Sequence, residues 1–277
     1  MIVYINGSYL PAERATISID DRGFLFADGV FETALIHNGG FFRLGHHLER
    51  FAASAAALRI AAPPLDRVEE VVRVLARENR LASASVRITL TRGVGQPTLL
   101  VTVRPPDAAW VARARRGWSL ATARTRRPST AALPAQLKAL GRTYSILARH
   151  EAADAGADDA LLLTDDGFIC EGPTWNVFWR SANTIFTPEL NLGVLAGVTR
   201  SVLIQLAADA GYDVREGRFT RADLDTAAEI IATMTSVGLV PIRSLDSVRL
   251  PAETPTIDVL QPGYWDVVTA EAAADPV

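Results

Sequence analysis

Between residues 105 and 134 the chain changes character, and this break limits what it can fold into. Pro105-Pro106 opens the stretch, Pro128 and Pro134 close it, and Arg113, Arg115, Arg116, Arg124, Arg126 and Arg127 crowd it. Before the break, short strand-like runs are separated by tight-turn signals; after it, strands and helices alternate. The length of 277 residues allows one large domain or two of ordinary size, and the change of pattern looks like the border of a second. The expected division is an α+β domain over 1–117 and an α/β domain over 118–277. Residues 105–116 read as an exposed loop or short helix, with the arginines on a solvated face.

In the first part, Asn6-Gly7 between 2–5 and 8–11 is a strong hairpin signal, and Asn38-Gly39-Gly40 predicts a second hairpin between 30–36 and 41–44. Leu48, Phe51, Ala52, Ala55 and Leu58 recur at helical spacing over 46–58. A second helix fits 65–79, followed by strands at 86–91 and 99–103. In the second part the pattern predicts strands at 118–123, 159–164, 177–179, 213–218 and 229–233. Helices fit 136–155 and 199–210, and the chain reads as irregular from 251 to about 258.

Charge and composition exclude several classes. With 28 Lys+Arg against 31 Asp+Glu the net charge is -3, too mild for a dedicated nucleic-acid binder. No apolar run approaches the roughly 20 residues that span a bilayer, and the start reads as a strand and turn without a targeting segment. The single Cys170 cannot close an internal disulfide, which suits a reducing compartment. The expectation is a cytoplasmic protein with no nucleic-acid, membrane or metal partner.

Among the basic residues only Lys138 is lysine. Arginine replaces lysine on most surfaces, but not where an amine must lose its proton and attack a carbonyl. Lys138 is therefore either a chance survivor or a site of lysine chemistry. Three further features bear on that choice. Glu171 lies at a strand end before Gly172-Pro173, where a carboxylate is either solvated or aimed at a partner. Gly197-Val198-Thr199 leads into a helix whose first amides, with the Thr199 hydroxyl, suit either an anion or an ordinary N-cap. Thr233-Met234-Thr235-Ser236 follows a strand, and is either a turn or a second phosphate edge. Together, an amine, a carboxylate and these anion-binding edges are the parts that hold pyridoxal phosphate.

The local sequences resemble the class IV, or fold-type IV, pyridoxal-phosphate enzymes. That family includes branched-chain and D-amino acid aminotransferases, (R)-selective amine transaminases and 4-amino-4-deoxychorismate lyases. The likeness runs from Asn6 to about Pro241 with the motifs in order. Asp21-Arg22-Gly23-Phe24 and Asp28-Gly29-Val30-Phe31-Glu32-Thr33 are similar to the N-terminal signature. Phe42-Arg43-Leu44 with His47-Leu48-Glu49-Arg50 resembles the segment whose arginine grips the cofactor phosphate, and Leu137-Lys138-Ala139-Leu140 resembles that of the Schiff-base lysine. The most specific match is Glu171-Gly172-Pro173-Thr174-Trp175-Asn176-Val177-Phe178, similar to a Glu-Gly-x-x-x-Asn-hydrophobic-Phe block whose Glu pairs with the pyridine nitrogen. Gly193-Val194-Leu195-Ala196-Gly197-Val198-Thr199-Arg200 resembles the phosphate-binding turn, and Thr235-Ser236 the second phosphate contact.

The resemblance implies a two-domain architecture like that of D-amino acid aminotransferase, a homodimer, and a cofactor cleft between an α+β domain and a barrel-like α/β domain. It implies pyridoxal 5'-phosphate, with Lys138 catalytic and Arg50, Lys138, Glu171, Asn176, Gly197, Val198, Thr199, Thr235 and Ser236 binding it. The implied reaction moves an amino group between a D-amino acid, a branched-chain L-amino acid or an amine and a 2-keto acid. Release of pyruvate and 4-aminobenzoate by a lyase is the alternative, and a non-catalytic phosphate-ligand binder a distant third. The Arg and His carboxylate trap usual in D-amino acid aminotransferases is missing, because Pro97 and Leu99 occupy its places. Phe31, Arg92, Arg142 and Trp175 are the candidate substrate contacts. Arg142 follows Lys138 as in some deoxychorismate lyases, while Thr143 stands where branched-chain enzymes carry the tyrosine that contacts the cofactor's O3′.

Overall fold

Asn6 and Gly7 both take positive φ, 46° and 95°, which matches the twist of a two-residue hairpin and folds β1 (Ile2–Ile5) back onto β2 (Ser8–Pro11). Asn38 and Gly39 do the same between β3 (Gly29–His37) and β4 (Gly40–Phe42). The computed structural model describes residues 1–134 and 136–277. It divides into two compact units, one of Met1–Pro106, Leu137–Gly141 and Val267–Val277, the other of Asp107–Gln136 and Arg142–Asp266.

In the first unit a short helix, α1 (Arg22–Phe26), capped by Asp21, precedes β3. The helices α2 (Leu44–Ala57) and α3 (Leu65–Asn79) lie between β4 and the long hairpin of β5 (Ala84–Val94) and β6 (Gln96–Arg104). The six strands order as β2-β1-β6-β5-β3-β4. Leu44, Leu48, Phe51 and Ala55 of α2 recur on one face and are buried, and α2 packs on β3. Val68, Val72 and Leu75 do the same for α3, which packs on β6 and β1. Each such side chain removed from water contributes about 1.5–3 kcal/mol.

The helix expected over 136–155 begins only at Thr143, as α5 (Thr143–Asp154). Residues 138–140 instead run extended along β3: Phe31 N donates to Lys138 O at 3.0 Å, and Leu140 N donates to Gly29 O at 2.9 Å. The reason is non-local. β5 pairs one edge of β3 along its length, but β4 covers the other edge only at Leu35–His37, leaving the start of β3 needing partners. Gly29 makes the approach possible, since a Cβ there would lie 2.7 Å from Leu140 Cδ1 and 2.6 Å from Leu90 O.

The second unit starts with α4 (Ala108–Arg116), so the helical alternative holds for that stretch. Its strands are β7 (Trp118–Thr122), β8 (Asp159–Leu163), β9 (Ile169–Glu171), β10 (Asn176–Ser181), β11 (Thr184–Pro188), β12 (Asp213–Gly217), β13 (Glu229–Met234), β14 (Gly238–Leu245) and β15 (Val248–Arg249). They form one mixed sheet in the order β12-β11-β10-β13-β14-β7-β8-β9, with β15 on β14. Its core holds Trp118, Trp175, Trp179, Leu161, Val177 and Val240. The helix α6 (Val198–Asp209) packs on β13. The tail is helical from Pro255, as α7 (Pro255–Ala274), rather than irregular to 258. Among the described residues no helix is long and apolar enough to cross a membrane.

Candidate active site

Lys138 is fixed by its backbone before its side chain is considered. Its N–H donates to Ser54 Oγ of α2 at 3.2 Å, and its carbonyl accepts from Phe31 of β3. The Lys138 Nζ lies 4.9 Å from the centroid of the Phe31 ring. The guanidinium carbon of Arg87, exposed on β5, lies 4.0 Å from the same centroid. Alternation along β3 turns the next residue, Glu32, to the opposite face, where it is fully buried.

Glu32 is gripped there by Arg50, with Nε to Oε1 at 2.6 Å and Nη2 to Oε2 at 2.8 Å. His47 Nδ1 lies 2.9 Å from Oε2. Burial alone would raise the Glu32 carboxyl. The Arg50 and His47 hydrogen bonds, with the charges of Arg50 and Lys138, outweigh it and hold the group down at about 2. Burial pushes His47 below its usual value despite the carboxylate beside it. Arg50, expected at a cofactor phosphate, is thus oriented by a carboxylate that the motif Phe31-Glu32-Thr33 contained but to which no role was given. The alternation of β3 against α2 was the signal that could have assigned it.

In the second unit, Glu171 ends β9 and is buried. Its Oε2 accepts from Leu195 N at 3.0 Å and from Asn176 Nδ2 at 3.2 Å, and Asn176 Nδ2 also reaches Leu195 O at 3.0 Å. Gln136 fastens the same loop, donating to Val194 O and accepting from Ala196 N. Gly197 lets the start of α6 come against Asn176, because a Cβ there would stand 2.0 Å from Asn176 Oδ1. α6 starts with no side-chain cap, leaving its first amides for another acceptor. Thr199 is buried with its Oγ1 3.4 Å from Tyr264 Oη. Thr235 and Ser236, half-buried, follow β13, whose Thr233 Oγ1 is buried without a hydrogen-bond partner among the described residues.

Arg127 departs from the solvated face expected of the arginine cluster: only 2% of it is exposed. Its Nη2 donates to Gly193 O at 3.0 Å, its Nε lies 3.7 Å from Glu171 Oε1, and Tyr144 stacks 5.0 Å from its guanidinium carbon. The candidate substrate contacts separate. Phe31 lies beside Lys138, as above. Arg92 is engaged by Asp28 at 2.7 Å and by the carbonyls of Leu58 and Arg59 just past the end of α2. Arg142 donates to the carbonyl of Pro173 in the loop after Glu171. Trp175 is buried in the core of the second unit, its indole N–H donating to buried Asp159 at 3.0 Å.

The first unit thus holds a fixed amine beside a carboxylate-arginine clamp, and the second a buried carboxylate and the uncapped start of a helix. The family model for amino-transferase class IV matches residues 29–245. A putative branched-chain-amino-acid aminotransferase of Methanocaldococcus jannaschii is 34% identical over 89% of this chain and 88% of its own length. An aminodeoxychorismate lyase of Bacillus subtilis is 29% identical over 91% of this chain and 89% of its own. Among solved structures, a hypothetical aminotransferase from Mycobacterium tuberculosis, in its PLP-bound form, superposes with a TM-score of 0.89 at 28% identity, over 98% of this chain and 100% of that one.

Proposed function

The chain belongs to the class IV amino-transferases, transaminases that use pyridoxal 5'-phosphate, and from that premise we propose which residues do the work. Lys138 is the reacting amine and the group that moves a proton at the substrate's Cα. The observation that carries this reading is that the chain's one lysine is locked by its backbone beside Phe31, within the field of Glu32 and Arg50. When bound, pyridoxal phosphate supplies an electron sink for that carbon.

The residues present fit such a group. Glu171 offers a buried carboxylate, fixed by Leu195 and Asn176, to hold a proton at the pyridine nitrogen. The uncapped amides of Val198 and Thr199, with Thr235 and Ser236, suit a phosphate in the second unit, and Arg50 is the phosphate-binding candidate of the first. The substrate is an amino acid, and its carboxylate is met by Arg87 rather than Arg92: Arg87 shares the Phe31 ring with Lys138, whereas Arg92 is tied to Asp28. Phe31 gives that face an apolar wall.

Borohydride reduction of the cofactor-loaded protein followed by peptide mapping tests the lysine. The label is expected on the peptide containing Lys138; a label elsewhere, or none, refutes the assignment. The likeness to the Bacillus subtilis lyase supports a second reading, in which pyruvate is released from an aminodeoxychorismate. Pyruvate release without a keto-acid acceptor separates the two. The protein is further proposed to be a cytoplasmic homodimer. Exposed Ile17, Ile19, Phe24, Leu25 and Phe26 support the pairing, since such an apolar run is costly in water. Buried, unpaired Cys170 suits the compartment.

A further inference from the structure

We infer that Arg127 is a positioning residue for Glu171: its buried guanidinium keeps the carboxylate ionised through its charge. This rests on the reading of Glu171 as the partner of the cofactor's ring nitrogen. That partnership requires an anion, because a neutral carboxyl cannot stabilise a protonated ring. Burial opposes the anion, and a carboxyl as enclosed as Glu171 drifts toward its neutral form unless something offsets the lost water. The Leu195 and Asn176 donors to Oε2 are uncharged and offset part of it.

Arg127 adds a full positive charge to these donors. Its Nε stands 3.7 Å from Glu171 Oε1, beyond hydrogen-bond reach, and its Nε and Nη1 have no hydrogen-bond partner among the described residues. In surroundings this dry, a charge at that distance acts far more strongly than at the surface. The hydrogen bond from its Nη2 to Gly193 O anchors the loop that carries the Leu195 amide to Glu171. One side chain thus fixes both the charge and the geometry of the carboxylate. The neighbouring Cys170 thiol does not compete. Burial first, then the Glu171 charge, push it up well above its usual value, so it stays neutral against the opposing pull of Arg127. Arginine suits the place better than lysine, because a buried ammonium sheds its proton whereas a guanidinium does not.

The test compares two probes on the holo-forming protein: pyridoxal phosphate and its analogue with carbon in place of the ring nitrogen. Dissociation constants are measured for the wild type, Arg127→Met, Glu171→Gln and the double variant. Arg127→Met is expected to weaken pyridoxal phosphate by about tenfold or more, one unit of proton affinity, and to leave the analogue within about twofold. In the double variant the second change adds little, since both act at the same nitrogen. Equal weakening of both probes by Arg127→Met, or no weakening of either, overturns the inference. Equal weakening by Glu171→Gln would instead refute the reading of Glu171 itself. If Arg127→Met does not fold, the wild-type apoprotein decides. Its Glu171 carboxyl carbon signal, assigned by difference from Glu171→Gln, is expected to titrate no higher than an ordinary glutamate, and protonation above that range overturns the inference.

Discussion

Of the buried carboxylates that stand beside arginines, Glu32 and Glu171 are held in opposite ways. Glu32 is clamped by Arg50 through two hydrogen bonds at 2.6 and 2.8 Å and by His47 at 2.9 Å. Glu171 has the Nε of Arg127 at 3.7 Å, outside hydrogen-bond reach, and takes close contacts from uncharged donors. A carboxylate bonded two-fold to a guanidinium has spent its proton affinity, and what it gives is position: Glu32 aims Arg50. A carboxylate supported at a distance keeps affinity for a proton on a neighbour. On the proposed roles, a strut and a reactive group differ in how each arginine approaches, not in burial, which the two share.

Each half of this comparison can be broken separately. Glu171→Gln is expected to lower turnover by about 10³-fold, worth about 4 kcal/mol, while the melting temperature stays close to that of the wild type. Steady-state kinetics and a thermal melt on the same sample check it, and full activity would remove Glu171 from the chemistry. Glu32→Gln is expected to do the reverse first. It strips the charge that Arg50 and His47 enclose and costs about 3 kcal/mol of stability, seen as a lower urea midpoint. An unchanged midpoint would make the clamp ornamental.

Acid sharpens the contrast with a sign that can be worked out. Glu32 has a folded value of about 2 against 4.5 for the free group. Its contribution is complete above 4.5 and is lost as pH falls toward 2, about 3 kcal/mol in all. His47 is held below its ordinary 6.5, so the unfolded chain takes that proton first and the folded state is already disfavoured below 6.5. Urea midpoints followed across this range should fall more gently in Glu32→Gln than in the wild type, and parallel curves would contradict the assignment. The smallest effect is expected from Trp175→Phe. It removes the indole bond to Asp159 at a cost of about 1 kcal/mol and leaves substrate preference unchanged, as befits a core residue. A changed donor preference would return Trp175 to the pocket.

What the sequence reveals here is local, and what it conceals is non-local. Turn residues at Asn6-Gly7 and helical spacing over Leu65–Asn79 carry their own structure, so β1, β2 and α3 fall where the pattern puts them. The segment around Lys138 reads as the first turn of a helix because Leu140, Tyr144 and Leu147 have helical spacing. The vacant edge of β3 claims it instead, and no window of neighbouring residues contains that demand. β14 is hidden for another reason: Pro241 inside it argues against a strand, yet its missing N–H is tolerated at that register opposite Ile231. For the site, the motif residues are legible but their supports are not. Arg127 looks like one arginine in a polar crowd until the fold buries it, and Glu32 acquires its role only when α2 brings His47 and Arg50 against β3.

Lys138 and Glu171 are proposed to serve one transaminase reaction, and a half-reaction spectrum decides the matter. The purified protein, loaded with pyridoxal phosphate, is titrated in turn with D-alanine, L-leucine and L-glutamate and followed by visible absorbance, beside Lys138→Ala. At least one donor is expected to convert the wild-type band to that of the pyridoxamine form, a 2-keto acid to restore it, and Lys138→Ala to show no conversion. A wild-type band that no amino acid alters, or conversion that survives the loss of the only lysine, would contradict it.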